Sequence, residues 1–196
     1  ELVIFNDRVV SVDYCRANGF LTGMGIEVPD MTDMGSAATS GKYTTGKGGD
    51  YEIVCLEATG ANEEGGKKGM ETCLSKNPDI NVVYTINEPA ALGAAKALEA
   101  AGKTIGKDVQ VVSVDGGCPG IASVKSGVIG ATSQQYPLLM ASKGVEAIAA
   151  FAKDGTKPTA SEGLSFFNTG VNLITDQPVD GVESLDSTKG TELCWG

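Results

Sequence analysis

With 25 acidic against 15 basic residues among 196, the chain carries a formal net charge of -10, and it has no basic run to neutralise phosphates, which argues against a nucleic-acid partner. The same acidity repels an anionic membrane surface, and no run of roughly 18 or more apolar residues is present to span a bilayer. A hydrophobic share of 41% with 27 Gly but only 5 Phe, 5 Tyr and 1 Trp excludes a disordered chain and fits an α/β core.

In chain order, Leu2 to Phe5 is a short apolar run followed by Asn6 and Asp7. The sequence begins at Glu1 directly on this run, with neither a methionine nor a signal peptide, so it is expected to be mature, truncated or both. A helix is predicted from about Val12 to Met24, capped by Ser11. Met31 to Asp50 turns to Gly, Ser, Thr, Lys and Asp with little to bury, the pattern of a long surface loop. Tyr51 to Leu56 is the next strand, followed by Glu57 and by a helix from about Glu63 to Lys76.

Asn81 to Ile86 is followed by Asn87. Pro89 then suits a first helical turn, Ala90 to Ala101 is rich in helix formers, and Gly102 is a permissive stop. Val109 to Val114 runs into Asp115, and Val128 to Ser133 runs into Gln134 and Gln135. A last long helix is predicted from about Pro137 to Ala152, closed by Asp154 and Gly155. From Gln177 to Gly196 no period emerges, and a packed tail tied down near Cys194 is expected. Short apolar runs alternating with helical stretches are the pattern of strands covered on both faces by crossover helices. The expected fold is therefore doubly wound α/β with a mainly parallel sheet.

Five Cys without CxxC spacing, and no His at all, argue against a zinc site and for structural disulfides in an oxidising compartment. The odd count leaves one thiol over.

In an open parallel sheet, ligands collect beyond the carboxyl ends of the strands. Asn87, Asp115 and Gln135 each follow a strand, so adjacent strands would bring two amides and a carboxylate to one edge. Arg16, early in its helix, could add a forked donor there. A sugar hydroxyl both donates and accepts, so a carboxylate that takes its proton and an amide or guanidinium that gives one satisfy it together. Each residue taken alone has a plainer role. Asn87 and Asp115 suit helix caps or turns, Arg16 a surface ion pair, and Gln135 simple exposure. Their repetition at successive strand ends is what favours a carbohydrate or polyol site.

Asn77 to Lys103 (NPDINVVYTINEPAALGAAKALEAAGK), Val111 to Gly117 (VVSVDGG) and Gly127 to Pro137 (GVIGATSQQYP) resemble type I periplasmic binding proteins of the ribose-binding group. The blocks keep the order and separation of that family's carboxyl-terminal lobe, and the resemblance extends from about Leu2 to Asp176. It implies sugar contacts at Arg16 of RANGF, Asn87 of TINE, Asp115 of VDGG and Gln135 of SQQYP. Where many members place a sugar-stacking aromatic, this chain has Ala61 and Asn62, so Asn62 is expected to hydrogen-bond instead. EIVCLEATG, DGGCPG and the terminal CWG look most like the fructose-binding branch.

The resemblance further implies a periplasmic receptor of an ABC sugar transporter, binding a monosaccharide without cofactor or metal and docking on a membrane permease. Residues 1–133 would form the carboxyl-terminal lobe, and 134–176, including a strand near Thr169 to Ile174, would belong to an amino-terminal lobe that is mostly missing. Residues 177–196 would form the tail. The 137–175 stretch would then expose apolar surface for the missing lobe or a second copy to cover. By position, Cys55 would pair with Cys73 and Cys118 with Cys194, leaving Cys15 free.

Three other readings compete. Cys118 as an enzyme nucleophile lacks any His base. The sensor core of a sugar-responsive transcription regulator lacks a basic DNA-binding segment. The third is a fragment that no longer binds sugar.

Overall fold

Alternating strands and helices follow the predicted order in the computed structural model, which describes residues 2–5, 11–31, 40–44 and 49–196. Strands β1 (Leu2–Phe5), β3 (Asp50–Glu57), β4 (Val82–Thr85), β5 (Gln110–Asp115) and β6 (Ala131–Gln134) are parallel neighbours. With β2 (Gly41–Thr44) and β7 (Asn172–Ile174) they form one sheet in the order β2-β3-β1-β4-β5-β6-β7. The two outer strands pair antiparallel, β2 on β3 and β7 on β6. All five parallel strands therefore present their carboxyl ends at the same edge.

The helices are α1 (Ser11–Gly23), α2 (Glu63–Lys76), α3 (Glu88–Ala100), α4 (Cys118–Lys125), α5 (Pro137–Asp154) and α6 (Ser187–Leu193). Asn62 caps α2 by accepting from Gly65 N, and Asn87 caps α3 by accepting from Ala90 N. Gly155, at φ 77°, ends α5 in the left-handed conformation that glycine adopts most readily. The α2–α3 pair packs backbone to backbone: a Cβ on Gly93 would lie 1.9 Å from the carbonyl oxygen of Glu63.

Two cores flank the sheet. Beneath α2, α3 and α4 lie Met70, Val83, Leu98, Val111, Ile121 and Ile129; on the opposite face Ala17 and Leu21 of α1 pack with Ile53 and Tyr84. Leu2 pairs with Ile53 but Val3 pairs with Cys55, so Val54 is an extra residue on β3. That bulge turns Ile53 and Cys55, which would share a face in a regular strand, toward opposite cores.

Four expectations change. Part of the Met31–Asp50 loop is the edge strand β2, because Lys42 and Tyr43 can pair with Glu52 and Tyr51 without burying much surface. The strand near Thr169 to Ile174, expected in the other lobe, is β7 of this sheet, hydrogen-bonded to β6. Helix α4 was not foreseen: it is 8 residues long and starts from Gly117, which offers no side-chain cap. In the tail, α6 forms with Asp186 accepting from Lys189 N. Asn6 and Asp7 lie outside the described residues, as does the side chain of Ser11.

Both expected disulfides are present. Cys55–Cys73 joins β3 to α2, Cys118–Cys194 joins α4 to the tail, and Cys15 is a free, exposed thiol. Cys118 N also donates to Trp195 O at 2.9 Å. No helix among the described residues is long and apolar enough to cross a membrane.

Candidate functional site

At the carboxyl edge of the sheet lie the five side chains chosen from the sequence, three of them joined directly to one another. Gln135 Nε2 donates to Asp115 Oδ1 at 2.8 Å. Arg16 Nη2 meets the same oxygen at 2.9 Å, while its Nη1 donates to Ile86 O at 2.8 Å. Next in the chain, Asn87 donates through Nδ2 to Ala61 O at 2.9 Å, and Asn62 follows Ala61. The line thus crosses the ends of β6, β5 and β4 and reaches the loop after β3.

These residues differ in how much capacity they keep. Asn62 and Asn87 are both helix caps, as the plainer reading held, and each spends one acceptor and one donor on backbone. An amide still has a second hydrogen and a second lone pair to offer. Among the described residues, Asp115 Oδ2 has no partner, and Arg16 retains guanidinium hydrogens beyond those two contacts. Both are largely enclosed, with 15% of the Asp115 side chain and 19% of the Arg16 side chain exposed. Burial pushes the Asp115 carboxyl above its ordinary value, opposed by the Arg16 charge and by the hydrogen bonds from Arg16 and Gln135.

Asp115 also has an unusual backbone. Its φ is 142° and that of Gly116 is 75°, two successive positive values that a non-glycine residue holds only when its surroundings enforce them. The enforcing group is Glu88, a site element that the sequence reading missed. Its Oε1 accepts from Gly116 N at 2.8 Å and from Thr132 Oγ1 at 2.7 Å, and its Oε2 accepts from Gly117 N at 3.1 Å. Gln134 Nε2 holds the other side of the turn by donating to Gly116 O at 3.0 Å. Gly120 makes room, since a Cβ there would lie 1.8 Å from the Glu88 carboxylate. Burial raises the Glu88 carboxyl above its usual value, against the pull of the Thr132 hydroxyl and the Gly116 N–H. An acidic residue directly after the helix cap in the phrase NEP was the available signal.

A second missed feature lies under Arg16. Phe20 stacks on Tyr84 with ring centroids 4.3 Å apart, and both belong to the apolar face between α1 and the sheet. They supply aromatic surface to the core, so they do not replace the ring absent at Ala61. Asn62, the proposed substitute, is exposed at the same loop.

The edge offers a carboxylate, a guanidinium and three amides at fixed positions. Cys118 is closed in a disulfide, which removes the nucleophile of the enzyme reading. The arrangement suits non-covalent recognition of groups that both donate and accept.

The profile of a family described as "Periplasmic binding protein domain" matches residues 28–157. The ribose import binding protein RbsB of Salmonella typhimurium is 33% identical over 131 residues, covering 63% of this chain and 43% of that protein. The D-apiose import binding protein of Actinobacillus succinogenes is 39% identical over 67 residues, 34% of this chain and 21% of that one. The chain thus spans less than half the length of these relatives. Among solved structures, a galactofuranose binding protein superposes with a TM-score of 0.68 at 23% identity, covering 88% of this chain and 50% of the other. An ABC transporter solute binding protein from Agrobacterium vitis with bound D-fucose gives 0.66 at 19%, covering 99% and 55%. At these identities the structures establish a shared fold, and the sequence profile establishes the kinship. The chain belongs to the periplasmic binding protein domain family.

Proposed function

We propose that this chain supplies one wall of a monosaccharide-binding cleft in a periplasmic receptor serving an ABC transporter. The observation that carries the reading is the Gln135–Asp115–Arg16 bridge at the carboxyl edge. It holds a part-buried carboxylate with one oxygen unspent beside a guanidinium with hydrogens to spare, and that pair can take both halves of a hydroxyl's hydrogen bonding. Asn87 and Asn62 extend the line and contact further hydroxyls with their second donors and acceptors. Binding on this reading is non-covalent and leaves the sugar unaltered.

The relatives are named for ribose and D-apiose, while phrases of this sequence resemble the fructose-binding branch. Fructose, or another ketose or a pentose, is therefore the sugar class to test first. Permease docking belongs to the longer receptor, in which residues 134–176 connect to a second lobe that closes the cleft.

Isothermal titration with D-fructose, D-ribose and L-arabinose tests the reading. At least one sugar is expected to release heat on binding the folded chain. Asp115→Ala should weaken that binding about a hundredfold, the loss of one or two charge-assisted hydrogen bonds. A folded chain that gives no heat with any of them, at millimolar sugar, is an inert fragment.

A further inference from the structure

The turn that carries Asp115 is held from two directions. Glu88 fixes its N–H groups, and the carboxyl-terminal tail reaches its carbonyl side. Gln134, wholly buried at the end of β6, donates through Nε2 to Gly116 O and to Gly190 O of α6, each at 3.0 Å. Its Oε1 is buried without a partner among the described residues. The side chain is therefore committed to its two donor contacts, one on the turn and one on the tail. Gly116 fits it closely, since a Cβ there would lie 2.2 Å from Gln134 Cγ. Beside it, Gly117 bridges to Trp195, and Cys118 N donates to Trp195 O at 2.9 Å.

The Cys118–Cys194 bond keeps the tail in this position. Helix α6 has 7 residues, too few to be stable on its own hydrogen bonds. The bond also has the surroundings of a reducible one. Cys118 is the first residue of α4, whose first turn holds no acidic side chain, and a helix N-terminus stabilises a thiolate. Cys194 Sγ lies 3.3 Å from Thr191 O, an acceptor that only a thiol S–H can use. The other disulfide differs. Lys76 Nζ stands 3.4 Å from Cys55 Sγ, but Cys55 and Cys73 are 2% and 0% exposed, and a sulfur closed to solvent resists attack by a dissolved thiolate.

We propose that the tail sets the sugar affinity of the Asp115 turn through Gln134, and that a dithiol opening Cys118–Cys194 releases this control. The inference rests on the reading of Asp115 as a sugar contact. A thiolate of the reductant attacks Cys194 Sγ, the sulfur–sulfur bond breaks, and its electron pair leaves on Cys118 Sγ at the start of α4. The second thiolate of the reductant attacks the mixed disulfide, closes the reductant's own disulfide and expels Cys194 as a thiolate. Both chain sulfurs then take up the protons that the dithiol gave up, so the chain is reduced and the dithiol oxidised.

Dithiothreitol is the probe, with peptide mapping of the alkylated thiols. Cys118 and Cys194 should be labelled before Cys55 and Cys73. With that one bond open, hydrogen exchange at the Gly116 and Gly117 amides should speed up about tenfold, while β3 and α2 stay protected. Titration with a sugar that binds the oxidised chain should show about tenfold weaker binding after reduction, the support of roughly one hydrogen bond. Cys118→Ser with Cys194→Ser should bind as the reduced chain does without any reductant. Gln134→Leu, its fold checked by circular dichroism, should weaken binding equally and leave reduction with nothing to add. The proposal alone is overturned by earlier opening of Cys55–Cys73, by unfolding of the whole chain on reduction, by unchanged exchange or affinity with the bond open, or by a reduction effect that persists in Gln134→Leu. A folded, oxidised chain that binds no sugar overturns the sugar reading and this proposal with it.

Discussion

Glu88 governs the geometry of Asp115 without belonging to the recognition line itself. Its carboxylate closes three hydrogen bonds in a buried position, two of them to the N–H groups of the turn that carries Asp115 through positive φ. Glu88→Ala would strand both N–H groups away from water, and urea unfolding should show a loss of about 3 kcal/mol. Because burial raises the folded-state value above the ordinary 4.5, the proton binds the folded chain more tightly than the unfolded one. This contribution to stability is complete below 4.5 and is lost as pH rises through the folded value. Glu88→Gln removes the titration, so its stability should fall less than that of the wild type across that window. An unchanged slope would show that Glu88 does not titrate there.

At the scale of elements, two disulfides fasten helices to the frame with different leverage. Cys55–Cys73 closes 18 residues of chain and Cys118–Cys194 closes 76. Loop-closure entropy assigns them about 3 and about 4.5 kcal/mol respectively. Replacing both cysteines of each pair by serine should therefore destabilise the chain more at Cys118–Cys194, as read by urea midpoints. The second bridge also anchors the tail beside Gly117, where Trp195 O accepts from Cys118 N. Its loss should release α6, and the carbonyl of Gly190 would then no longer accept from Gln134 Nε2.

For the whole molecule, a net charge of -10 works against compactness. Surface ion pairs such as Lys42–Glu52 and Lys67–Glu71 are too exposed to offset it. Screening the repulsion should raise the thermal midpoint by a few degrees between about 0.05 and 0.5 M NaCl. Differential scanning calorimetry measures this directly, and a falling midpoint would mean that ion pairs outweigh the repulsion.

Apart from the short α4, which starts from Gly117 without a side-chain cap, the order of strands and helices was legible from residues 49 to 155 because buried parallel strands are continuous apolar runs and because Asn62, Asn87 and Gly155 mark helix ends chemically. Four of the site residues, Arg16, Asn87, Asp115 and Gln135, could be chosen because each occupies a strand end or the first turns of a helix. The sequence alone determined that much, since local pattern dictates local structure. A strand near Thr169 to Ile174 was expected, but only the tertiary structure decided that β7 returns to this sheet, since the local pattern of a strand does not name its partner. It alone revealed Glu88 beneath Asp115, since that contact joins residues 28 and 29 positions apart. It alone divided the apolar residues between the two cores on opposite faces of the sheet, because which apolar surface is buried depends on what lies opposite it.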